Sequence, residues 1–291
     1  CKSKNCKITV NMKLLGKFSL IMVAIFLMSM TGRKEAYKYY DTKGGQIKYK
    51  IMFKKLKAAD VILFGELHNN PISHWMQYEM TKDLYAEKQE NLVLGAEMFE
   101  SDNQLILDEY LSGLIKQKSF EKEARLWSNY STDYKPLVEF AKENNLKFIA
   151  TNVPRRYASL VHKSGFEGLD SLSKDAKNYI PSLPVEYDPE LKGYKSMLEM
   201  MGGMGGGHVN ENLPKAQAIK DATMAHFILE NWESGKTFIH YNGTYHSNDY
   251  EGIVWYLKNA NPSLNIVTIA TVEQDDISKL DEESKSVADY I

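Results

Sequence analysis

Short apolar runs recur along the chain, and each stops at a polar or glycine-bearing turn. They are Val61–Phe64 before Gly65, Leu92–Leu94 before Gly95, Phe148–Ala150 before Thr151, Phe238–Ile239 before His240, and Ile266–Ala270 near the end. Unbroken apolar runs of this length read as strands buried on both faces. Between them the spacing predicts helices over Ile72–Glu87, Asp102–Lys116, Pro136–Asn144 and Pro154–His162. Strands alternating with such helices give an α/β fold, a mostly parallel central sheet flanked by helices.

From residue 164 to 233 the pattern changes. Helical spacing over Leu172–Tyr179 leads into a turn with Pro181 and Pro184, then a helix over Pro189–Met201, a glycine run, and a long helix over Leu213–Trp232. No strand pattern interrupts, so this stretch is expected to be a helical cap inserted before the fourth core strand. The α/β core then comprises residues 34–163 and 234–272. Residues 273–291 are acidic, weakly periodic, and expected to form a surface tail.

Residues 1–33 read as an upstream extension followed by a leader. Met12-Lys-Leu-Leu-Gly-Lys17 precedes the apolar run Phe18–Met30, matching the charged and apolar regions of a secretory signal. The run falls short of the roughly 20 residues of a membrane span. Met30-Thr31-Gly32 resembles a lipoprotein processing site, with Arg33 standing where the lipidated cysteine is expected. The native protein is therefore expected to be exported and lipid-tethered on the periplasmic side, and the chain with Arg33 to be soluble.

Composition removes several function classes. Of 291 residues, 43% are apolar and 25% charged, which is ordinary for a globular protein. Lys and Arg (36) nearly balance Asp and Glu (38), leaving no basic field for nucleic acid. Both cysteines, Cys1 and Cys6, precede Met12, so thiolate chemistry and structural disulfides are excluded from the folded body. No phosphate loop, His-Glu-x-x-His or Gly-x-Ser-x-Gly motif is present.

Ligands of an open parallel sheet sit at the carboxyl ends of its strands. There the chain reads Gly65-Glu66-Leu67-His68, Gly95-Ala96-Glu97, Thr151-Asn152 and His240-Tyr241-Asn242-Gly243-Thr244-Tyr245-His246. Each residue alone is an ordinary cap or hydrogen-bonding group. Gathered on one edge, histidine with carboxylate is the donor set for a divalent metal or for acid–base work. Glu66, His68, Glu97 and His246 are accordingly candidates for a tentative metal site, and for the catalytic groups of a peptidase-like hydrolase.

The segments Gly65-Glu-Leu-His-Asn69, Glu97-Met-Phe99, Gln217-x-x-x-Asp221-x-x-Met-Ala225 and Gly243-Thr-Tyr-His246 resemble the ChaN family of the Tiki/TraB superfamily, over roughly Ile51 to Ala270. The resemblance implies an iron-regulated, haem-binding lipoprotein acting in iron acquisition. It also makes Glu66, His68, Glu97 and His246 the superfamily pocket, whose counterparts in metalloprotease-type relatives are thought to hold a metal.

With that resemblance, the methionine- and glycine-rich stretch becomes a candidate haem surface. Met197, Met201 and Met204 lie beside five glycines ending at His208. Methionine packs irregular apolar surfaces, and glycine allows close approach to a flat ligand. Without cysteine, ferric iron in an exported setting favours an oxygen donor, and the candidate tyrosinates are Tyr157, Tyr187 and Tyr194, with Tyr179 beside them. Arg155 and Arg156 can pair with haem propionates. The expected assembly is a homodimer with haem at or near its interface, with an outer-membrane haem receptor as a further partner.

Overall fold

The computed structural model describes residues 35–203 and 210–291, and over 200–203 the backbone alone. Each apolar run of the core forms a strand: β3 (Val61–Glu66), β4 (Leu92–Glu100), β5 (Phe148–Asn152), β6 (Thr237–Gly243) and β7 (Ile266–Ala270). They form one sheet in the order β5-β4-β6-β3-β7, every pair parallel. The late strand β6 is thus wedged between the two earliest core strands, β3 and β4. Outside this sheet, β1 (Tyr39–Tyr40) and β2 (Gln46–Ile47) make a small antiparallel pair that the sequence pattern did not reveal.

Alternate residues of each strand face opposite layers. Ile62, Phe64, Leu94, Ala96, Ile239 and Tyr241 join a cluster with α1 (Tyr49–Leu56), α2 (Pro71–Lys88), α3 (Gln104–Leu111), α4 (Gln117–Glu123) and α5 (Lys135–Glu143). Val61, Leu63, Val93 and Phe238 face the other way, against Met224, Ala225 and Ile228, and against Ile253, Val254 and Leu257. Gly95 permits that packing, since a Cβ there would stand 2.7 Å from the Phe238 ring.

Helix ends follow local chemistry. Asn70 caps α2 by accepting from the Ser73 amide at 2.9 Å, with Pro71 at the first helical position. The expected helix Asp102–Lys116 is shorter: α3 begins at Gln104 and ends at Leu111, Gly113 turns the chain at φ +78°, and α4 begins only beyond the expected span.

The stretch 164–233 is helical, as its pattern predicts, but only in part a cap. After α6 (Arg155–Ser164) come α7 (Lys174–Lys177), shorter than the expected Leu172–Tyr179, then α8 (Lys192–Gly203) and α9 (Asn212–Asn231). Through Met224, Ala225 and Ile228, α9 is a layer of the core itself. A further helix, α10 (Ile253–Ala260), covers the same face.

The acidic tail is not wholly on the surface. Leu280, Val287, Ala288 and Ile291 are buried with Tyr40 and Ala270. Tyr290 lies along β7, accepting from the Ala270 amide at 2.9 Å and donating to the Thr268 carbonyl at 3.2 Å. Periodicity missed this because the segment contributes scattered apolar residues, not a face.

Candidate functional site

The pairing of β4 with β6 runs only from Leu92 to Ala96, whereas β3 stays paired with β6 as far as Glu66 opposite Gly243. The strands therefore part just where Glu97 emerges. Above that opening lies a cavity of about 570 Å³ lined by the strand ends, the turn after β6, and α8 and α9. Glu66, His68, Glu97, Met197 and His246 line it together, so four segments distant in sequence meet there.

On one side, Glu66 is 2% exposed and fully engaged. Its carboxylate meets His68 Nδ1 at 2.9 Å, accepts from Gln77 Nε2 at 2.5 Å, and accepts from the Tyr134 hydroxyl. Tyr134 arrives on a single π-helical turn, Tyr130–Tyr134. The His68 ring packs edge-on against Trp127, and its carbonyl accepts from Asn129 Nδ2 at 2.7 Å. The hydrogen bond to Glu66 raises the His68 pKa, against the opposing effect of burial.

Across the opening, His246 lies between two carboxylates. Its Nδ1 bonds Asp221 Oδ1 from α9, and its Nε2 is 3.1 Å from Glu97 Oε1. The other oxygen of Glu97 accepts from the Gly243 amide at 2.7 Å. Burial would lower the His246 pKa, but Glu97 and Asp221 carry it up to about 10. Burial would raise Glu97, but the His246 charge and hydrogen bond hold its carboxyl well below the usual carboxylate range. The pair is an imidazolium with a carboxylate.

Gly243 is required where His68 and Glu97 converge. A Cβ there would lie 2.9 Å from His68 Cε1 and Nε2 and 3.5 Å from Glu97 Oε2. The strand runs on past the expected Phe238–Ile239, so His240 sits in its middle, buried below the site between Thr151 Oγ1 and Asn242 Oδ1, and burial lowers its pKa to about 4. It is a structural residue.

The four candidate metal ligands are brought together, yet apart from His68 Nε2 their donor groups are engaged in hydrogen bonds and ion pairs. Glu66 serves Tyr134, Gln77 and His68, while Glu97 and His246 are bonded as an ion pair flanked by Asp221. Among the described residues, no group of three or more His, Cys, Asp or Glu side chains is arranged to hold a metal ion. The expected divalent-metal site, and the metal-dependent hydrolase that depended on it, find no support in this geometry.

The candidate tyrosinates and arginines do not line the cavity. Tyr194 is buried and donates to Asp221 Oδ2 at 2.8 Å. Tyr187 packs between Phe166 and Tyr194. Burial raises the pKa of both phenols, so neither is a ready tyrosinate. Tyr157 is buried in the cluster of α6 with α9 and accepts from Arg156 Nη2 at 3.2 Å. Arg156 also bonds Asp102 at 2.5 Å, and Arg155 is exposed on the same turn. Met204, His208 and Arg33 lie outside the described residues, and Met201 is described by backbone only.

Leu213 and Lys220 from α9 also line the cavity and had no part in the sequence argument, while Gln217 and Tyr245 stood there only within quoted segments, without a role. Leu213, Gln217 and Lys220 stand at helical spacing, but which face of the helix meets the sheet edge is not legible in the sequence. Tyr245 is 42% exposed, and its hydroxyl donates to the Gly193 carbonyl.

Comparisons with known proteins bear on the family and the fold. A family model described as haem-binding uptake, Tiki superfamily, ChaN, matches residues 52–257. The solved structure of ChaN of Campylobacter jejuni, described for its cofacial haem binding, is similar with a TM-score of 0.63 and 18% identity, over 88% of this chain and 96% of that one. A MARTX toxin effector domain, RRSP of Vibrio vulnificus, is similar over 82% of this chain and 41% of its own, with a TM-score of 0.44 and 16% identity. No curated protein matches the sequence at a significant level.

Proposed function

The chain belongs to the haem-binding uptake family of the Tiki superfamily, ChaN, and on that premise we propose that it binds haem in the cavity at the carboxyl edge of the sheet. The observation that carries this reading is the cavity itself. At about 570 Å³ it falls in the range of roughly 300–1,000 Å³ that holds small organic ligands. Leu67, Met197 and Leu213 offer apolar and polarisable contacts for a flat macrocycle.

His68 is the iron ligand in this reading. Glu66 occupies Nδ1 and so leaves Nε2 as the lone-pair nitrogen, beside the space that Gly243 keeps clear. The other ligand types in the wall are less suited. Both nitrogens of His246 are taken, and burial raises the pKa of Tyr245, whose hydroxyl is already bonded.

Beyond the ligand, we propose an exported lipoprotein of haem and iron acquisition, supported by the charged and apolar leader ahead of Arg33. The cofacial haem arrangement described for the Campylobacter jejuni protein supports a dimer that encloses haem between two copies. Haem handed over by an outer-membrane receptor belongs to the same proposal.

Haem titration followed by absorbance tests the reading. The wild-type chain is expected to saturate at a defined stoichiometry with a shifted Soret band. His68→Ala should lose the ligand-dependent bands, and Tyr245→Phe should keep them. Saturation unchanged by His68→Ala and by Met197→Ala would remove haem from this cavity.

A further inference from the structure

The cavity wall has a marked charge asymmetry. Glu66 and Glu97 form its floor, whereas Lys220 is the one lysine or arginine among its described lining residues. Lys220 makes no ion pair among the described residues, and its Nζ donates a long hydrogen bond to the Gln217 amide oxygen at 3.4 Å. The next residue on α9, Asp221, is turned away and committed to His246 and Tyr194. A half-buried ammonium on a cavity wall, without a carboxylate, is a place for an anion.

We infer that Lys220 pairs with the propionate edge of haem and sets the orientation in which haem enters. This rests on the haem reading above. Haem is a flat apolar ring with two carboxylates on one edge, so its orientation depends on where those charges are tolerated. The floor offers them no partner, because Glu66 and Glu97 are buried carboxylates whose hydrogen bonds are already made, and the one cation there, His246, has both nitrogens committed to Glu97 and Asp221. Leu213, Gln217 and Lys220 grade the α9 wall from apolar to cationic along a single helical face. The ring edge without carboxylates then enters toward the strand ends, with the propionates at Lys220. A lysine supplies this as a point charge without demanding a fixed bidentate geometry.

The test compares iron protoporphyrin IX with its uncharged dimethyl ester in the same detergent, on the full chain. Wild type is expected to prefer the free acid by about tenfold, the scale of one charge-assisted hydrogen bond. Lys220→Met should bring the acid down to the ester's affinity and leave the ester unchanged. Lys220→Arg should restore the preference, and Lys220→Glu should reverse it. Circular dichroism confirms that each variant is folded. Equal affinity of wild type for acid and ester, or an unaltered preference in Lys220→Met, overturns the assignment of Lys220 alone. If neither porphyrin saturates the wild-type chain, the haem reading fails and this inference falls with it.

Discussion

His246 Nδ1 and Asp221 Oδ1 are bonded across a sequence separation of 25 residues, with both side chains nearly inaccessible to solvent. This contact ties α9 to the turn after β6, and Glu97 on the far side of the imidazole extends it to β4. Three elements of the cavity are thereby clamped by one protonated ring.

That clamp gives stability a defined pH dependence. His246 binds its proton more tightly in the folded chain, at about 10, than its reference of about 6.5. Its contribution is therefore full below about pH 6.5 and disappears as pH rises toward 10. On the acid side, His240 is lowered to about 4 and Glu97 lies below the carboxylate range. Stability should fall as pH drops from about 6.5 toward 4 through His240, and further through Glu97 below about 4.5. His246→Gln leaves Asp221 and Glu97 buried without a counter-charge, a loss of about 3–5 kcal/mol at neutral pH. Urea unfolding from pH 4 to 10 should show the optimum of that variant displaced toward acid. An unmoved optimum would contradict the ion-pair assignment.

Two glycines should respond differently to alanine. At Gly65 a Cβ would meet the Ile269 carbonyl oxygen and Thr244 Cα at 2.8 Å, both backbone atoms. Gly65→Ala should thus destabilise the sheet by about 1–3 kcal/mol, the scale of overpacking. At Gly243 the first obstacle is the His68 ring, a side chain that can swing away. Gly243→Ala should stay folded but weaken haem binding. Thermal melts alongside haem titration separate the two.

Tyr194→Phe removes the donor to Asp221 Oδ2 from a buried position. It should cost about 1.5–3 kcal/mol, the range for hydrogen bonds to charged groups. The haem spectrum should be unchanged in Tyr157→Phe, Tyr187→Phe and Tyr194→Phe. Loss of the spectrum in a folded single variant would return the iron ligand to the helical region.

Deleting residues 286–291 strips the pairing from the outer edge of β7 and exposes Tyr40 and Ala270. The truncated chain should lose at least about 2 kcal/mol, the scale of truncating one buried aliphatic residue. It should also aggregate more readily, since an uncovered strand edge invites intermolecular pairing. Denaturant midpoints and light scattering read both effects.

The sequence by itself determined the strands and the polar residues on their edge. A run such as Val61–Phe64 is apolar at every position and too short for a buried helix, which makes it a strand covered on both faces, and Glu66, His68 and Glu97 then fall at its edge and the next. It was less informative where few apolar positions carry the pattern. Helix α1 buries only Met52 and Leu56 among lysines, and the tail spreads its buried residues without a period. Tertiary structure decided the rest. Only pairing in space inserts β6 between β3 and β4 and brings Gly243 against His68. Only packing shows that Tyr194 serves Asp221 and that Lys220 makes no ion pair among the described residues. Residue type states what a side chain can bond, and its burial and neighbours determine what it does bond.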